Sequence, residues 1–332
     1  MNTRNFKSVL AGISIGHAEN FTLGSGVTAI LFDDPAVASC MVLGGAPGGR
    51  DTGLLELEST LERVDALVLS GGSTYGLDAA GGVQAALREA GRGTPFAGLR
   101  LPLVSQAIIF DLMNGGDKNW GRYSPYCELG YAAAMAASGG AFALGSIGAG
   151  TGATTSTVKG GLGAASATTE SGHSVLAIAV VNAVGTPLIG SGPHFWAAPF
   201  EVEAEFGGLG WPAQIAPADL APRLKGRPQP ATTIGVILTD AVLTKPQAKR
   251  LAIMAHDGLA RAILPAHAPW DGDTIFAAAT GKVPLGDAVH DLTLLGHAAT
   301  LAFARAIGRG VFEAAALPYP GALPSWRDRF GG

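Results

Sequence analysis

Cysteine is almost absent: Cys40 and Cys127 are the whole supply and could close at most one bridge. Disulfide-stapled secreted domains are thereby excluded, and the chain reads as a reduced, cytoplasmic protein with two buried thiols. Charge is also scarce, at 14% of residues with a formal net charge of −4. Nucleic acid demands a clustered basic surface, so that partner class drops out. The densest basic segment, KPQAKR at 245–250, reads as the solvated start of a helix. No apolar stretch reaches the ~20 residues of a membrane span. The N-terminal apolar patch is broken by His17 and Glu19, a poor fit to a signal peptide.

Familiar site motifs are missing too. The glycine loop GSIGAGTGA (145–153) lacks G-x-G-x-x-G spacing and leads into TTSTVKGG instead of a clear helix, although Glu170 follows Gly150 at a distance suited to a ribose ligand. No G-K-S/T follows it, so a P-loop is excluded. GGSTYG (71–76) lacks the spacing of a serine-hydrolase elbow. The seven histidines show no metal-ligand spacing, and His256 reads as a partly buried helix residue. Neither cofactor nor metal is expected.

What is present is apolar bulk. Apolar residues make up 48% of the 332, and 49 glycines without a Gly-X-Y period imply tight turns and close backbone approaches in one packed α/β (α+β) domain. Short apolar runs predict strands at 64–69, within 101–116, at 174–182, 232–240 and 273–281. Helical spacing appears in Leu77, Ala80, Val83, Ala86 and Leu87, and over 292–314. The clearest helix starts at Thr244, with Gln247 at N3 and Pro246 in the first turn. Ala248, Leu251, Ala255, Leu259 and Ile263 form its buried stripe.

One junction stands out. A Pro- and charge-bearing loop (216–227) gives way through PQPATT to the apolar strand 232–240, with Thr232 and Thr233 at its head. A Thr hydroxyl is a weak nucleophile, but an N-terminal Thr carries its own base, an α-amine with a pKa near working pH. An internal Thr gains that amine only if the preceding bond, here Ala231–Thr232, is cut. Downstream, WDGDTIF places Asp271 and Asp273 two apart at a strand entrance, on one face. They are the nearest candidates for the base of the uncut chain. Asn182, ending an apolar strand, is a candidate oxyanion donor.

These stretches, with GISIGHAEN, LSGGSTYGLDAAGGV, VVNAVG and QAKRLAIMAHDGLARAI, resemble in order the DmpA-type N-terminal-nucleophile hydrolases. That family includes L-aminopeptidase/D-esterases, β-peptidyl aminopeptidases and the endo-type nylon-oligomer hydrolase. The resemblance implies a four-layer αββα sandwich, and a precursor that cuts itself into an α chain (1–231) and a β chain (232–332). It implies Thr232 as nucleophile, Asn182 on the oxyanion side, Asp271 and Asp273 in support, and no cofactor. Its partners would be a small amide or peptide substrate and further copies of the processed unit, as a tetramer. The family lysine falls on Lys159, or on Thr157 by ungapped counting. Phe110 stands where the family carries a tyrosine, and Ala231 where it carries Asn or Gly, which predicts slow self-cleavage. A non-catalytic relative that binds without cutting is the competing expectation.

Overall fold

The computed structural model describes residues 5–226 and 230–331, so the loop before Thr232 lies outside the described residues at 227–229. The strands that matter here are β1 (Ile13–Asn20), β2 (Ser25–Val42), β3 (Arg63–Ser70), β4 (Val104–Ile108), β5 (Leu162–Thr168), β6 (Ser174–Asn182), β7 (Thr232–Ala241) and β8 (Thr274–Val283). The main helices are α1 (Ala79–Glu89), α2 (Tyr126–Met135), α3 (Lys245–Ala262) and α4 (Ala288–Phe312). Among the described residues the strands run β5-β6-β7-β8-β2-β3-β4, with Gly49–Arg50 beyond β4 and β1 paired to β2. The β7–β8 and β3–β4 pairs are parallel.

Side-chain alternation along these strands builds the layers. Leu176, Ile178 and Val180 of β6 join Ile234, Val236 and Leu238 of β7 in a core shared with Ile30, Phe32, Leu67 and Leu69. Their alternates Val175, Ala177, Ala179 and Ile237 face outward, under Leu251, Leu259, Phe303 and Ile307 of α3 and α4. On the other side, Val27, Ala29, Ala66 and Val68 pack against Val83 and Leu87 of α1 and Ala133 of α2. The order is helix, sheet, sheet, helix: the αββα sandwich. Both faces of β6 and β7 are covered, which is why they read as continuous apolar runs.

β2 belongs to both sheets. It pairs with β1 and β3 through its first half and with β8 through Val37–Val42. Its pairing with β3 slips between Leu31 and Ala36, where Asp33 and Asp34 are exposed beside Pro35.

α3 begins as expected, with Gln247 Oε1 accepting the Thr244 N–H at 2.8 Å and Thr244 Oγ1 accepting the Gln247 N–H at 3.4 Å. Its first residue is not solvated, however. Lys245 is buried, and its ammonium donates to the carbonyls of Leu54 at 2.8 Å and Leu61 at 2.9 Å. α4 begins at Ala288, capped by Asp287, and a short helix Trp326–Phe330 follows it. Of the two thiols, Cys40 is buried but Cys127 is exposed on α2.

Gly235, midway along β7, marks a tight fit of helix on sheet. A Cβ there would lie 2.2 Å from Phe303 Cε2 and 2.8 Å from the Ile178 carbonyl oxygen. Gly235→Ala should cost about 1–3 kcal/mol, read as a lower urea midpoint with an unchanged slope.

Candidate active site

The end of β6 and the beginnings of β7 and β8 converge on Thr232. Asn182 is its directly opposed partner across the antiparallel β6–β7 pair. Opposed residues share a face, and continuing the alternation from Ile234 and Val180 directs both side chains to the inner, inter-sheet side. Thr232 is 3% exposed and Asn182 is fully buried. In the intact chain the Thr232 hydroxyl donates to the carbonyl oxygen of Ala231. That same oxygen accepts the Gly272 N–H at 2.9 Å, and the Ala231 N–H donates to the Trp270 carbonyl at 3.1 Å. Gly272 must be glycine for this approach, because a Cβ would sit 2.9 Å from Thr232 Oγ1.

Asp273 heads β8 with the parity of Ile275 and Ala277, which face the outer core. Its Oδ1 accepts the Thr233 N–H at 2.7 Å. Its Oδ2 accepts the His267 N–H at 3.0 Å and lies 2.8 Å from His267 Nδ1. His267, at φ 57°, meets His256 edge-on at 5.0 Å. His256 is buried, its Nε2 2.9 Å from the Met41 carbonyl oxygen, and burial lowers its pKa to about 4. Asp271 Oδ2 accepts the Ala268 N–H at 2.9 Å, while its buried Oδ1 has no hydrogen-bond partner among the described residues. Burial, with the charge of Asp273, pushes Asp271 up to about 6. Neither carboxylate receives the Thr232 hydroxyl, which is turned to the Ala231 oxygen. Both carboxylates bond the backbone around the junction.

Asn182 is held on both sides of its amide. Oδ1 accepts the Thr154 N–H at 3.0 Å and the Lys225 ammonium at 2.9 Å, and Nδ2 donates to the Phe110 carbonyl at 2.9 Å. At position 110, then, the main chain reaches the site. Lys225 also donates to the Thr154 carbonyl at 2.9 Å, and burial lowers its pKa to about 7. Lys159 is elsewhere. Its buried ammonium donates to the carbonyls of Gly150, Ala153 and Gly160 at 3.1, 2.7 and 2.7 Å, using all three of its hydrogens on the main chain. Thr157 pairs its hydroxyl with Thr186 at 3.0 Å. Glu170 lies beyond the far end of β5, so the seven-residue strand separates it from the glycine loop.

Ala231 does not occupy the left-handed region, which among the described non-glycine residues holds Asp51, Ser73, Ala97, Glu203, Ala204 and His267. The left-handed freedom that Gly or Asn would bring is not used there. Beside the site lies a cavity of about 420 Å³ walled by Phe110, Asp111, Asn114, Thr154, Ser156 and Lys225. Lys225, Thr154, His267 and Gly272 were not legible as site residues; Lys225 stands in RLKGR, a stretch with the composition of surface loop.

A carboxyl whose folded pKa is raised favours the fold while protonated. That contribution is present below the unfolded value and lost as pH rises through about 6 for Asp271. Asp271→Asn is neutral throughout. Its stability relative to wild type should therefore improve from pH 4 to pH 7 in urea titrations, and a constant difference would contradict the shift.

Among the described residues no helix is long and apolar enough to cross a membrane, and no three His, Cys, Asp or Glu side chains gather as a metal site. Residues 9–321 match peptidase family S58. An uncharacterized aminopeptidase of Mycobacterium tuberculosis is 41% identical over 344 residues, covering 97% of this chain and 97% of that protein. A 6-aminohexanoate-oligomer endohydrolase of Paenarthrobacter ureafaciens is 31% identical over 82% of this chain and 74% of its own length. The β-aminopeptidase of Burkholderia sp. superposes with a TM-score of 0.71 over 96% of this chain and 90% of that one, at 22% identity. The L-aminopeptidase D-Ala-esterase/amidase of Ochrobactrum anthropi, described as a variant of the Ntn hydrolase fold, gives 0.69 over the same shares at 19% identity. These two structures bear on the fold. The family match and the sequence relatives bear on the chemistry, and by them the chain belongs to peptidase family S58, a family of hydrolytic enzymes.

Proposed function

We propose that the protein is a self-processing amidohydrolase whose nucleophile is Thr232. One observation carries the reading: the Thr232 hydroxyl rests on the carbonyl of Ala231 while the Gly272 N–H polarises that carbonyl from 2.9 Å. Attack forms the Oγ1–C bond, and charge develops on an oxygen already bonded to a backbone donor. The C–N bond then breaks, the hydroxyl proton ends on the released α-amine, and water hydrolyses the resulting ester to leave a carboxylate on Ala231. The single folded domain thereby becomes an α chain, 1–231, and a β chain, 232–332.

In the cut protein the new α-amine is the base for its own hydroxyl. Oγ1 attacks a substrate carbonyl, and the N–H that Asn182 has left after bonding Phe110 is available to the oxyanion. The α-ammonium protonates the leaving amine, and the same amine activates the water that releases the acyl group. Asp271 and Asp273 keep the two strand entrances in place around this centre. Lys159 acts at a remove, by tying down the loop that carries Thr154. Release of Ala231 opens the buried Thr232 toward the cavity at Thr154 and Lys225. The relatives named above support peptides, β-peptides or amide oligomers as substrates. Two free cysteines support a cytoplasmic setting, and the resemblance to DmpA-type enzymes supports an oligomer of processed units.

Incubating the purified protein and following it on denaturing gels tests this reading, with mass spectrometry of the smaller fragment and a panel of p-nitroanilides and amide oligomers. The small fragment should begin at Thr232. Thr232→Ala should stay intact and inactive with an unchanged fold, and Thr232→Ser should keep part of both activities. Turnover should rise with pH through the α-amine range, roughly 7.7–8.0, and persist in EDTA. A wild-type chain that stays whole and inert would favour the binding-protein reading instead.

A further inference from the structure

Lys225 has no part in the reaction just described, yet it is tied to the end of β6 at both main chain and side chain. Its backbone N–H donates to the Val184 carbonyl at 2.8 Å. Its ammonium donates to the Thr154 carbonyl and Asn182 Oδ1, both at 2.9 Å, and reaches the Asn182 carbonyl at 3.5 Å. The charged groups around it are the carboxylates of Asp271 and Asp111, which favour its ammonium form, and the Lys159 ammonium.

An asparagine amide has two N–H donors and one acceptor oxygen. Here Oδ1 takes three donors, the Thr154 N–H, the Thr154 hydroxyl and Lys225, while one Nδ2 hydrogen goes to Phe110. Turning the amide over would set NH₂ against an ammonium and an N–H, and would set Oδ1 against the Phe110 carbonyl. One N–H therefore remains, on the side chain directly opposed to Thr232. While protonated, Lys225 on the amide oxygen also draws electron density away from its nitrogen, so the remaining N–H becomes a stronger donor.

We propose that Lys225 is a positioning residue that acts through Asn182, fixing its amide and strengthening the N–H offered to the oxyanion formed at Thr232. This rests on Thr232 being the nucleophile. The sequence places Lys225 in the same loop that leads to the Ala231–Thr232 bond, so the segment that is cut also carries the group that completes the site.

A double-mutant cycle on the processed protein tests it, with p-nitrophenyl acetate as the probe because its leaving group needs no proton. Asn182→Ala should lower kcat about 10²–10³-fold. Lys225→Met should lower kcat about tenfold, a share of what one oxyanion donor is worth, with KM essentially unchanged. The double variant should be no slower than Asn182→Ala, since residues acting as a unit are not additive. Lys225→Arg should retain more kcat than Lys225→Gln, which keeps a donor but loses the charge. This pair decides the matter if Lys225→Met fails to fold. Wild-type kcat in Lys225→Met, a loss confined to KM, multiplicative losses in the double variant, or equal Arg and Gln variants would each overturn the proposal. Full turnover by Thr232→Ala would instead place the failure in the nucleophile assignment.

Discussion

The register between β6 and β7 is the constraint on which the site depends. Asn182 opposes Thr232 because every earlier pair, from Val175–Thr239 onward, is in step. A slip of one residue would turn each side chain to the opposite face. The Thr232 hydroxyl would then leave the inner side and Asn182 would lose its partner. What prevents the slip is burial on both faces: Ile234, Val236 and Leu238 fill the inter-sheet core while Ile237 fills the helix–sheet core. The geometry of a few polar atoms at one end is thus set by apolar packing along the whole strand.

That packing surrounds an unusual number of charges. Lys159 and Lys245 are buried, and each ammonium is answered by main-chain carbonyls. A buried charge is tolerable only when it is so bonded, and each such group pins a loop. Lys159 gathers Gly150, Ala153 and Gly160, which holds the neighbouring Thr154 N–H where Asn182 can receive it. Asp271 differs, since one of its oxygens is left without a partner among the described residues. The shift toward its protonated form is what that environment dictates.

Much of the core was legible from sequence because both strand types announced themselves. Thr232–Ala241 and Ser174–Asn182 read as strands from apolar continuity, and α3 from its capping pair and stripe. β2 was not legible. Asp33, Asp34 and Pro35 in its middle have the composition of a turn, and only the structure reveals one strand bent across two sheets. At the site, Thr232, Asn182, Asp271 and Asp273 do converge on one junction. Their division of labour was hidden, because it follows from which way each side chain alternates. Lys225 was hidden for a different reason: a single lysine among prolines and arginines carries no periodic signal, and its partial burial is imposed by distant residues.

The strand order has a consequence for a molecule cut before Thr232. β7 and β8, from the shorter piece, lie between β6 on one side and β2 on the other, both from the longer piece. The two pieces are interleaved, not laid side by side. Separating them would break two sheet seams at once and strip α3 and α4 from the layer they cover. Reassembly from separated pieces would face the reverse difficulty, with two bare edges to be matched inside a sheet that has closed or collapsed without them. In such a cut molecule the connecting loop would have served only while the fold formed. The halves would then be held by the two seams and the shared core, and the route back from an unfolded mixture would have no simple return.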